Sequence, residues 1–136
     1  MGPINWPAVV LSPVLMQAIA LVWYGPLFGG LPPFALFQAN MQPGAGPVRS
    51  ALGGLILLAL PALMIGHALA RIGPETLALK PWLYWMQTGG IAAFFIVPAL
   101  WLNHARLGQG RRVALVEAGY WLVSFLAMGT VFWALG

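Results

Sequence analysis

His104 and Glu117 carry the chemistry that this chain has to offer, because an imidazole beside a carboxylate can exchange protons near neutral pH. Asn103 and Arg106 flank the histidine, and Tyr120 follows the glutamate. A helical hairpin turning between the two stretches would gather Asn103, His104, Arg106, Glu117 and Tyr120 into one polar cluster. Such a cluster could relay protons or hold a ligand. Glu117 also has a plainer reading. A carboxylate in the first turn of a helix is favoured by the helix dipole, and Arg111 and Arg112 nearby would keep it ionised. A lipid-active enzyme with His104 as base would need a nucleophile or metal close by. Ser124, the nearest hydroxyl in sequence, stands about two turns deeper than Glu117, too far along a helix to serve.

The elements that must position these residues follow from the scarcity of charge. Only 6% of the 136 residues are charged and 61% are apolar, whereas soluble proteins carry about a quarter of their residues as charged. Crossing a bilayer takes roughly 20 apolar residues in a helix. Four windows meet that length: 8–28, 50–70, 82–103 and 113–135. The expectation is a single all-α membrane domain over 1–136, a polytopic bundle of four transmembrane helices. Nothing basic precedes Arg49, so a cleaved signal peptide is not expected and the first window should remain in the chain.

The net charge of +4 could suggest nucleic acid, but the six basic side chains are scattered at segment ends and form no stripe. They read better as topology. Arg49, Arg106, Arg111 and Arg112 share one side of a four-span chain, and Arg71 and Lys80 share the other. The positive-inside rule then places the first and third loops in the cytoplasm and both termini outside, in a bacterial inner membrane. Tryptophans near span ends, among them Trp6, Trp23, Trp82, Trp85, Trp101, Trp121 and Trp133, read as an aromatic belt.

The absence of cysteine removes disulfides, thiolate metal sites and thiol nucleophiles. No cofactor is expected. A haem or chlorophyll held by a single axial histidine, His67 or His104, is the pigment chemistry that composition leaves open, though neither residue sits in an attachment motif. The two should lie at opposite ends of antiparallel helices, so they cannot share one haem.

Helices in lipid associate through close packing of small residues and through polar side chains. Candidate pairs four apart are Gly25 and Gly29, Gly66 and Ala70, Gly89 and Ala93, and Ala114 and Ala118. Gln17 and Gln87 should find partners between helices. Pro13, Pro61 and Pro98 each free a carbonyl within a span and could kink it. The first loop, 29–49, is uncharged before Arg49 and carries Leu31, Phe34, Leu36, Phe37 and Met41. A loop of that kind lies along the interface or is covered by a partner.

The opening NWPAVV, the WYGPLFG that closes the first window and the ending GRRVALVEAGYWLVSFLAMG together resemble a bacterial membrane family catalogued as a domain of unknown function, family 1761. The resemblance covers nearly the whole chain and is most specific in AGYWLVSFLAMG. It implies a compact four-helix integral membrane protein and no assigned reaction or cofactor. Two features depart from the family pattern. The first loop is apolar where relatives tend to carry charge, and Glu117 precedes AGY where Asn is common, which argues against a required catalytic role for Glu117.

The function expected from these residues is that of a small non-catalytic membrane subunit. It would pack against a larger membrane complex, respiratory or photosynthetic, or against itself. A small transporter or channel using the polar cluster between the third and fourth spans is the alternative.

Overall fold

The computed structural model describes residues 2–30 and 47–136. The uncharged loop with Leu31, Phe34, Leu36, Phe37 and Met41 therefore lies outside the described residues. Helices and turns account for the rest, and no strand occurs among the described residues. Four helices are long and apolar enough to cross a membrane: Trp6–Leu27, Ala51–Ile72, Leu83–Arg106 and Arg111–Leu135. They are the first to fourth spans below.

Their ends differ by a few residues from those read from hydropathy, and each difference has a local cause. The first span starts at Trp6 because the Asn5 side-chain oxygen accepts from the Ala8 N–H at 3.1 Å, with proline in the first turn. The second span belongs to a longer helix, Pro47–Ile72, which begins inside what hydropathy assigns to the first loop. Gly73, at φ 87°, ends it, and Pro74 at once starts a short helix, Pro74–Leu79, where a plain loop was expected. Proline at the first helical position and Glu75 in the first turn both favour that start.

Proline acts differently from span to span. Pro13 and Pro61 sit inside uninterrupted α-helices. The third span instead consists of Leu83–Ile91, a π turn at Ala92–Ile96, and Val97–Arg106, with Pro98 just beyond the π turn. The first span ends in a second π turn, Trp23–Leu27, which contains Pro26. The wider i to i+5 spacing of a π turn accommodates a carbonyl that a nearby proline ring disturbs.

The first span packs on the second and fourth, the third packs on the fourth, and the second and third scarcely meet. The fourth span is thus central. Met16, Ala62, Ile65, Phe125, Met128 and Phe132 form the middle of the shared core, each at most 2% exposed.

Glycines let the helices come close. A Cβ on Gly66 would lie 2.9 Å from Val9, and one on Gly89 would lie 2.9 Å from Leu126. Both are contacts between spans, as their spacing suggested. The tightest approach was not foreseen: a Cβ on Gly129 would stand 2.6 Å from Thr88 Oγ1 and 3.1 Å from the Tyr84 carbonyl oxygen. Ala114 and Ala118 are buried on the fourth span, whereas Ala70 and Ala93 are half-buried. Among the described residues Gly25 and Gly29 do not mark a crossing. The Gly29 N–H donates to the Gly25 carbonyl at 2.9 Å, so this pair closes the end of the first span upon itself. Gln17 lays its amide oxygen over Gly54, where a Cβ would meet it at 3.0 Å, a packing contact between the first and second spans.

Candidate functional site

The hairpin between the third and fourth spans does bring His104 to Glu117. His104 is 5% exposed, and its Nε2 lies 2.7 Å from Glu117 Oε2, with 21% of the Glu117 side chain exposed. The other ring nitrogen, Nδ1, is hydrogen-bonded to Gln109 Oε1. A carboxylate and an amide oxygen are both acceptors. The ring thus bridges Gln109 on the turn and Glu117 on the fourth span through its two nitrogens.

Gln109 escaped the sequence reading, and a backbone motif explains its position. The third span ends with Gly108 at φ 66°, a left-handed conformation that costs glycine little. The Gln109 N–H donates to the His104 carbonyl at 3.0 Å and the Gly108 N–H to the Ala105 carbonyl at 3.3 Å. This is the Schellman pattern, which folds the residue after the glycine back over the last turn of the helix. The Leu-Gly-Gln-Gly run was the available signal.

Of the other expected members, Asn103 and Arg106 are exposed, and neither is hydrogen-bonded to His104 or Glu117. Arg111 and Arg112 are exposed as well, so the partner of Glu117 is the histidine and not the arginines beside it. Tyr120 is buried but turns toward the first span. Its hydroxyl donates to the Met16 carbonyl at 3.2 Å, and its ring lies 5.2 Å from that of Tyr24. The cluster of five thus resolves into a trio, His104, Gln109 and Glu117, with Tyr120 serving a different contact.

Trp23 reinforces the same end of the bundle. Its Nε1–H donates to the Val116 carbonyl at 3.0 Å, and its ring fills the space over Gly119, where a Cβ would come within 2.9 Å. A tryptophan expected at the interface is here a link between the first and fourth spans. Trp6 and Trp82 at the opposite end are exposed, in keeping with a belt position.

His67 is exposed on the second span, one turn before Arg71, at the end away from His104. Among the described residues no group of three or more metal-binding side chains comes together. The trio is able to lock two helix ends together and to exchange a proton between its ring and its carboxylate.

Among curated proteins and solved structures, none matches this chain. The family model described as a protein of unknown function (DUF1761) matches residues 7–133, nearly the whole length, and the chain belongs to that family.

Proposed function

We propose that the protein is a non-catalytic subunit of a larger bacterial inner-membrane complex, docked through its third span. The observation that carries this reading is the uneven burial of the spans. In the most apolar window of each, 39% of residues are buried in the fourth span but only 11% in the third. The third span packs on the fourth, and the other described residues leave most of its surface uncovered. Its outward row runs through Met86, Gly90 and Phe94, and a Cβ on Gly90 would meet nothing within 4 Å. A small residue between two large ones admits the backbone of another membrane helix.

The polar side chains argue in the same direction. His104, Glu117, Trp23 and Tyr120 all spend their hydrogen bonds inside the bundle. A transporter or channel working through the Asn103 to Tyr120 cluster has less behind it. Asn103 and Arg106 face outward, His104 and Glu117 are closed on each other, and the cavity described below lies at the opposite end. With both nitrogens of its ring engaged, His104 offers none for axial ligation, so no pigment is assigned to it. In this reading both termini face the outside and the His104 end faces the cytoplasm.

A photoreactive amino acid placed at Phe94 in native membranes tests the assignment, with the same group at Val14 on the exposed face of the first span as comparison. A protein adduct from Phe94 and only lipid from Val14 is expected. Lipid adducts alone from both positions, with a lone monomer after mild-detergent purification, would overturn it. An adduct at twice the chain mass would replace the larger complex with self-association.

A further inference from the structure

A cavity of about 250 Å³ opens at the end of the bundle away from His104. Residues 2–5 lie along it, and its walls are Leu69 and Ala70 of the second span, Leu77 of the short helix Pro74–Leu79, Tyr84 of the third span and Phe132 of the fourth. The apolar walls meet few atoms across the gap, so an empty cavity forfeits dispersion contacts that a hydrocarbon occupant would restore.

The polar groups around it are almost all committed. Asn5 donates from Nδ2 to the Leu135 carbonyl at 2.8 Å and accepts from the Ala8 N–H through Oδ1. The Ala70 carbonyl takes the Gly2 N–H at 2.8 Å. Tyr84 is the exception. It is 9% exposed, and its hydroxyl, at the cavity, makes no hydrogen bond among the described residues. The hydroxyl is reached from the cavity and not enclosed by protein, so it is free to donate to an occupant.

We propose that this cavity binds the carbonyl end of a lipid acyl chain. The Tyr84 hydroxyl donates to the carbonyl oxygen, and the first methylenes lie among Leu69, Leu77 and Phe132. Depth supports the choice, because the cavity sits at the ends of the spans, close to the exposed Trp6 and Trp82, where acyl carbonyls meet the headgroup region. Size supports it too. Pockets that enclose a whole drug-sized molecule run to roughly 300–1,000 Å³, so a space of about 250 Å³ suits one end of a longer molecule that continues into the bilayer.

The test is native mass spectrometry of the delipidated full chain. One arm titrates oleate and the other a dioleoyl phosphatidylglycerol, which separates a free fatty acid from a membrane lipid as the source. Wild type should retain one molecule in at least one arm. Ala70→Leu, which fills the cavity, should reduce retention at least tenfold, and Tyr84→Phe about fivefold. Ala18→Leu, on the lipid-facing side of the first span, should leave it unchanged. Equal retention by wild type, Ala70→Leu and Tyr84→Phe would overturn the proposal, since it would leave surface lipid or a water molecule as the only occupants. Should Ala70→Leu fail to fold, unchanged retention by Tyr84→Phe would overturn it alone.

Discussion

At the end of the bundle that carries His104, a buried pair of side chains, His104 and Glu117, joins two spans, whereas toward the other end the bonds from Asn5 to the Leu135 carbonyl and from Trp85 to Thr130 share that task with close glycine crossings. His104 to Glu117 ties the third span to the fourth, while Trp23 to the Val116 carbonyl and Tyr120 to the Met16 carbonyl tie the first to the fourth. Toward the cavity Gly66 and Gly129 add to the hydrogen bonds, with backbone or short side chains standing closer than a Cβ would permit. Both are means by which helices hold together without a hydrophobic drive between them. They differ in tolerance. A hydrogen-bonded pair can be weakened in steps, while a glycine crossing has no room to yield. The difference also leaves a gap: close approach at Gly129 and Gly66 does not fill the space among Leu69, Leu77 and Phe132, and there the cavity remains.

Substitutions can break or sharpen this contrast. Gly129→Leu should have the largest effect, because its Cβ would collide with Thr88 Oγ1 and approach the Tyr84 carbonyl. Overpacking of this kind costs about 3 kcal/mol, to be read as a lowered unfolding midpoint in detergent. Glu117→Ala should come next, at about 2 kcal/mol, since it strands a buried imidazole without its acceptor. Glu117→Gln keeps an acceptor and should lose less than half of that; an equal loss from both would mean that charge, and not the hydrogen bond, holds this end. Trp23→Phe removes one N–H donor while keeping most of the ring, for about 1 kcal/mol in the same assay. Tyr84→Phe should change stability by less than about 0.5 kcal/mol in lipid-free detergent, because its hydroxyl has no hydrogen bond to lose among the described residues. A larger loss there would show that the Tyr84 hydroxyl holds the cavity end together as Asn5 and Trp85 do.

Much of this was legible in the residues, for reasons that differ from part to part. Charge and hydropathy located the four spans because lipid imposes a length and a polarity on any helix that crosses it. Their ends were less legible, since Asn5 acts through a side-chain cap and Gly73 and Gly108 through a positive φ, neither of which hydropathy senses. The meeting of His104 and Glu117 could be anticipated because a short turn leaves antiparallel neighbours few ways to align. Gln109 could not be found from residue type alone, as an exposed glutamine in a turn gains its role only from the left-handed glycine before it. Small-residue spacing pointed to Gly66 and Gly89, which stand against neighbouring spans, and equally to Gly25 and Gly29, whose contact lies within one span, since spacing does not reveal whether the neighbour is another helix or the same one. Gly129 was overlooked because its partners, Thr88 and the Tyr84 carbonyl, carry no small-residue signature of their own.

The π turn at Ala92–Ile96 sets the angular phase of the third span. Tyr84, Thr88 and Ala92 are the buried residues before the end of that turn, and His104 is the buried residue after it. At about 100° per residue, an unbroken α-helix would rotate His104 roughly 120° away from Ala92. One additional residue taken up by a wider turn reduces that to roughly 20°. The chain therefore spends a residue on rotation, so that a single helix can present threonine to a glycine at one end and histidine to a glutamate at the other. Deleting one residue between 93 and 96 would therefore restore an ordinary α-helix and leave His104 still facing Glu117, whereas straightening the turn without a deletion would rotate His104 toward lipid and strand Glu117.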